Sequence, residues 1–206
     1  MCWNADVSLN TFLFAVFGAV FGYINGFNRK LLLFFALFSC MQFYEYMIWK
    51  NINNREINRI WSIIGYIIIQ LEPIAAINIL DQSLIKTILF GIYTMYIIAA
   101  ILSVIFYKHN FTTTIGKNGH LQWNWLESPK IISKYIWIII WFSAFFIPLL
   151  IYGIKNKNYV PLIVSLIIFL ITISYYTYET YGTMWCWVST ALWLYVIYCG
   201  IRKLHC

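Results

Sequence analysis

Residues 83–107 read SLIKTILFGIYTMYIIAAILSVIFY, and past Lys86 the stretch holds no charged side chain. A helix needs about 20 predominantly apolar residues to cross the hydrocarbon core of a bilayer. This stretch is therefore predicted to be a membrane span. In hydrocarbon the backbone must satisfy its own hydrogen bonds, so the span is a helix.

Working outward, the pattern recurs along the chain. Six further spans are predicted: Ser8 to Gly26, Lys30 to Trp49, Ile57 to Leu80, Ile131 to Ile154, Tyr159 to Tyr176 and Thr180 to Ile201. Pro73 interrupts span 3 and Pro148 lies in span 5, while Arg202 and Lys203 end span 7. The expected fold is all-α, one transmembrane domain over 1–206, a bundle of seven transmembrane helices. Spans 6 and 7 are separated only by a tyrosine-rich turn around Glu179, and six spans result if they form one broken helix. The first span follows an N-terminus without Lys or Arg, contains Asp6 nearby and lacks a convincing cleavage site, so it reads as a retained helix.

Composition agrees. The 206 residues are 62% hydrophobic, 20% aromatic and 10% charged, against about a quarter charged in soluble domains. The net charge of +7 is spread over span ends, where Lys and Arg meet lipid headgroups. No basic face is left for nucleic acid, whose binding depends on phosphate contacts. Membrane lipid is the expected partner, with a small molecule or ion as candidate ligand; the oligomeric state is not specified by the sequence.

Face A is the side of the N-terminus and face B the opposite side. Arg29, Lys30, Lys86, Lys155, Lys157, Arg202 and Lys203 fall to face B; Lys50, Arg55, Arg59, Lys108, Lys117, Lys130 and Lys134 fall to face A. The tally is even. The charges after the first helix, Arg29 and Lys30, place face B in the cytoplasm and the N-terminus outside or lumenal. The sequon Asn110-Phe111-Thr112 is then open to glycosylation.

Ionisable groups inside a membrane are costly and mark functional sites by default. Glu45 in span 2 shares a helix face with Gln42 and Trp49. That trio suits cation binding, proton relay or a polar ligand; the alternative is a carboxylate at headgroup depth, solvated or paired with a basic residue. Glu72 lies deeper, in Gln70-Leu71-Glu72-Pro73. Pro73 lacks an N–H and leaves the carbonyl of Ile69 free, and a freed carbonyl beside a carboxylate is how many transporters build a midplane ion site. On ideal geometry Gln70, Asn78 and Asp81 share one face and Glu72 points away. The alternative for Glu72 is a protonated carboxyl between helices.

Gly182, Cys186 and Thr190 form a small-residue ridge on span 7, as Gly18, Gly22 and Gly26 do on span 1; both read as helix packing. Trp185 and Trp187 read as interfacial anchors or as walls of a ligand pocket. In the loop from Lys108 to Lys130, Trp123 and Trp125 alternate with polar residues beside His120. The favoured reading is a loop lying among headgroups; a re-entrant lid is the alternative. Of five cysteines, Cys2 and Cys186 fall on the same face, as a possible disulfide or reactive thiols. No metal-ligand spacing and no nucleotide-binding loop occur, and no metal or other cofactor is expected. Span 7 has no intramembrane lysine for a retinal Schiff base, so retinal is not expected.

Several short patterns coincide in order. They are Met1-Cys2-Trp3-Asn4 with Ser8 to Thr11, Gln42 to Trp49, Leu71-Glu72-Pro73, Gly119-His120-Leu121 with Trp123, and Gly182 to Trp187. Together the chain resembles an uncharacterised family, a domain of unknown function, of small multi-pass membrane proteins found mainly in giant DNA viruses. The resemblance implies a Gln before the proline of span 3, where this chain has Glu72. It implies no activity and no catalytic residue.

Three functions are expected in descending order. The first is a small-solute or ion transporter or channel, or a seven-helix ligand-binding protein. The second is a structural or assembly protein of a viral or host membrane. The third is an enzyme acting on lipid or thiol at face A through Cys2 or Cys186 with His120 and Glu45; with no catalytic constellation, an enzyme is the least favoured. Cys2, Trp3, Gln42, Glu45, Trp49, His120, Trp123, Trp185 and Cys186 all map toward face A, provided the helix count is odd.

Overall fold

The computed structural model describes residues 4–106, 110–126, 134–176 and 180–203. It is all-α apart from one small hairpin. The helices are α1 (Ala5–Ile24), α2 (Arg29–Lys50), α3 (Arg55–Ile79), α4 (Leu84–Phe106), α5 (Lys134–Asn156), α6 (Val160–Tyr175), α7 (Tyr181–Ser189) and α8 (Leu192–Arg202). Six stretches are long and apolar enough to cross a membrane: α1 to α4, Ile138–Asn156, and Gly182–Arg202, which joins α7 and α8.

Asparagine starts the first three helices. Asn4, Asn28 and Asn54 each accept a hydrogen bond from a first-turn backbone N–H, replacing partners that a helix start lacks. Helices α7 and α8 are one rod with a tightened joint. The N–H groups of Thr190, Ala191, Trp193 and Leu194 each bond three residues back, the 3-10 pattern. This joint lies inside span 7, in addition to the separation between spans 6 and 7. Helices α6 and α7 are separate and pack side by side.

Helix α2 is central, packed on α1, α3 and α7, while α3 carries α4 and α5. Helices α1 and α4 are peripheral. Their outer faces present Leu13, Phe17, Val20, Ile92, Met95 and Ile98, a surface that calls for lipid.

Helices α1 and α7–α8 run parallel. The Trp187 Nε1–H donates to Thr11 Oγ1 at 3.1 Å. A Cβ on Gly18 would lie 2.8 Å from Trp193, and one on Gly22 2.5 Å from Val196. Contacts advance together along both helices, so both run from face A to face B. Helix α6 returns the chain between them. Its start lies beside Asn158, whose amide donates to Tyr195 of α8 at 2.7 Å. Its far end brings Tyr176 against His120, ring centroids 5.5 Å apart. At 16 residues α6 rises only about 24 Å.

Face B is tied by charge. Asp81, in the turn after α3, pairs with Lys30 of α2 at 3.2 Å and with Lys155 of α5. The Leu80 carbonyl accepts from Lys30 and Lys86. Two lysines thus cap a carbonyl that the helix end leaves without a partner.

Candidate functional site

The described part of the loop after α4 packs one side against the helices: Thr113, Leu121, Trp123 and Trp125 are buried, while Thr114, Ile115 and Lys117 to Gly119 are exposed. Strands β1 (Thr113–Ile115) and β2 (Leu121–Trp123) pair antiparallel, with Thr113 opposite Trp123. The turn closes when the Gly116 N–H donates to the His120 carbonyl at 2.7 Å, and Gly119 takes φ +77°, a conformation glycine adopts without a side-chain penalty.

A buried polar network docks this hairpin. Asn58 of α3 donates to the Thr113 carbonyl at 2.9 Å and accepts from the Thr113 N–H at 3.0 Å. Its carboxamide satisfies both backbone groups as a third strand would. Thr113 Oγ1 meets Tyr44 OH at 2.8 Å and Ser62 Oγ at 2.9 Å. The Trp125 Nε1–H reaches both Thr113 Oγ1 and Tyr44 OH. Trp125 is 1% exposed and stacks on Trp123 at 5.0 Å. Tyr44 fits because Gly65 lies beneath its ring: a Cβ there would sit 2.7 Å away. The hairpin is a plug in face A.

Gln42 and Glu45 are both 0% exposed, and the Gln42 amide donates to Glu45 Oε2 at 3.1 Å. Glu45 is therefore not solvated. Phe38, Gln42, Glu45 and Trp49 lie on one stripe of α2. Phe38 meets Trp185 of α7 at 5.4 Å, so this stripe faces α7. Trp185 is not a headgroup anchor. It is buried among Phe38, Trp141, Phe142, Phe145 and Phe169.

The indole N–H groups of Trp49, Trp123 and Trp185 have no hydrogen-bond partner among the described residues, and neither does His120 Nδ1. His120 is buried against Tyr176. Burial holds its imidazole below the usual histidine range, which favours the neutral ring.

Glu72 stands apart, buried at 0% exposure in α3. The carbonyl that Pro73 releases is not free. Ile69 O accepts the Trp141 Nε1–H of α5 at 3.1 Å. One residue on, the Gln70 carbonyl and Gln70 Oε1 accept from Tyr93 OH. The expected ion-ligating carbonyl is therefore occupied by an indole. Asn78 and Asp81 belong to the face B lysine cluster and not to a group with Gln70.

Gly18 and Gly22 pack α1 on α8 as expected, whereas Gly26 forms a turn, at φ +74° with open space around it. Gly182 and Cys186 are buried in α7. Cys2, Trp3, His109, Glu179, His205 and Cys206 lie outside the described residues. Sequence reasoning missed Asn58, Ser62, Gly65 and Thr113. The first three are small or polar side chains on one side of a long apolar helix, and that was the available signal. No family model, curated protein or solved structure matches the chain.

Proposed function

We propose that this is a seven-crossing membrane protein that binds a small polar solute or ion at the seam between α2, α7 and the hairpin, as a carrier, channel or ligand-binding bundle. The observation that carries the reading is the hydrogen-bonded Gln42–Glu45 pair, wholly buried on a helix stripe that faces α7. A carboxylate is not kept in a bilayer interior without a partner or a task. The indole donors of Trp123 and Trp185 and the neutral imidazole of His120 add hydrogen-bonding and aromatic walls for such a solute. Helix α6 counts as a crossing in this reading: it returns the chain from face B to face A, and the bilayer thins or flanking residues snorkel around a short span. Face B is assigned to the cytoplasm on Arg29 and Lys30.

The test is reconstitution in liposomes, with flux of protons, monovalent cations and small metabolites measured for wild type, Glu45→Gln and Gln42→Leu. Flux or saturable binding lost in both variants supports the reading, and a wild-type protein that neither binds nor moves any of these solutes refutes it. A second reading, a structural or assembly protein of a viral or host membrane, draws support from the broad apolar faces of α1 and α4. Stoichiometric membrane partners in the absence of flux would favour it.

A further inference from the structure

Glu72 lies outside the seam and beneath the plug. Seven residues turn a helix through nearly two full turns. Asn58, Gly65 and Glu72 therefore form one stripe on α3. Tyr44 packs on Gly65, so this stripe faces α2. The plug network occupies its face A end, where Asn58 and Ser62 hold Thr113. Glu72 sits one heptad past Gly65, about 10 Å further along the helix.

Both carboxylate oxygens of Glu72 are buried with no hydrogen-bond partner among the described residues. The titratable groups that sense its charge are Cys40 of α2 and Tyr93 of α4; Tyr93 donates to Gln70, and Trp141 of α5, which has no ionisable group, donates to Ile69. None of these supplies a positive charge. A carboxylate buried without a counter-charge takes up a proton instead of remaining ionised.

We propose that Glu72 is a proton-binding site, held as the neutral acid in this closed form and able to exchange with face A only when the hairpin lifts. The plug is then a gate over a protonatable carboxyl. The proposal is independent of what binds at the Gln42–Glu45 seam.

Two carbodiimides test it on the full chain in lipid nanodiscs, with the modified residue identified by peptide mass spectrometry. Dicyclohexylcarbodiimide enters from the lipid. The acid's O–H adds across one C=N bond, giving an O-acylisourea that rearranges to a stable N-acylurea, with no oxidant or further reactant. It is expected to modify Glu72 in wild type, less as pH rises, and to leave Glu72→Gln without an adduct at residue 72. A water-soluble cationic carbodiimide is expected to spare Glu72 in wild type and to modify it about tenfold faster or more once the plug loosens in Asn58→Ala or Thr113→Val, or in the milder Ser62→Ala. Lack of any lipophilic adduct at Glu72 in wild type, across the pH range, overturns the site. A water-soluble reagent that reacts at the same rate in wild type and all three plug variants overturns the gate. Labelling requires no solute flux, so neither result depends on the proposed carrier activity.

Discussion

Asn58→Ala removes the side chain that the hairpin uses as a third strand. Two Thr113 backbone groups, bonded at 2.9 and 3.0 Å, lose their partners, and Thr113 is buried. A buried polar group left unsatisfied costs about 1–3 kcal/mol. Two such groups put the docked state at about 2–6 kcal/mol higher in energy, with water entry favouring the lower end. At about 1.4 kcal/mol per tenfold, even 2 kcal/mol is roughly a thirtyfold rise in the undocked population. The assay is amide hydrogen exchange in nanodiscs. Peptides covering 110–126 should exchange some thirtyfold faster or more, while α2 and α3 keep their protection. A hairpin peptide that exchanges at the wild-type rate would refute the claim that Asn58 docks the plug.

Other expectations follow from particular contacts. Trp141→Phe strands the proline-released Ile69 carbonyl and should destabilise by about 1–3 kcal/mol; adding Pro73→Ala restores an N–H for that carbonyl, so the double variant should be more stable than additivity allows, as measured by denaturation in mixed micelles. Gly22→Val places methyl groups where a Cβ already meets Val196 at 2.5 Å; it should cost about 1–3 kcal/mol and weaken cross-linking of a cysteine pair placed between α1 and α8. His120 has a folded-state value below the unfolded one. The unfolded chain then binds more protons, so hairpin docking is fully supported above about pH 6.5 and weakens as pH falls through the lower folded value. His120→Gln should remove this dependence from hydrogen exchange. Asp81 is held below the usual carboxylate range by hydrogen bonds from Lys155 and Lys30. Its small contribution is present above about pH 4 and lost on further acidification, so the melting difference between wild type and Asp81→Asn should vanish at low pH.

The spans were legible because apolar length is a strong local signal, and some of their ends were legible from Lys and Arg. Their observed bounds differ from the predicted ones by a few residues at most, as at α1 (Ala5–Ile24) and α5 (Lys134–Asn156). The fate of the loop was not legible. Alternating Trp123 and Trp125 suit a strand anywhere, and what they pack against is Tyr44 and Tyr66, far earlier in the chain. A sequence scan weights charge, so it singled out Glu45 and Glu72 with the carboxamides near them and passed over Asn58, Ser62 and Thr113. Pro73 was read correctly as releasing a carbonyl. That the carbonyl is taken by Trp141 depends on how α5 packs against α3, and no local pattern encodes that. Trp185 was placed at the interface from its sequence neighbourhood, whereas phenylalanines from α2, α5 and α6 enclose it.

The parallel seam between α1 and α7–α8 also has a bearing on biogenesis. On a ribosome α1 emerges well before α8. Helix α1 meets α2 almost at once, yet Gly18 and Gly22 must wait for Trp193 and Val196 until α2 to α7 have been made. During that interval the glycine groove is open to lipid or to an insertion chaperone. The seam between α1 and α8 therefore closes only after the six helices between them have been made. A nascent chain stalled before α8 would leave the Gly18 and Gly22 side of α1 without Trp193 and Val196 against it.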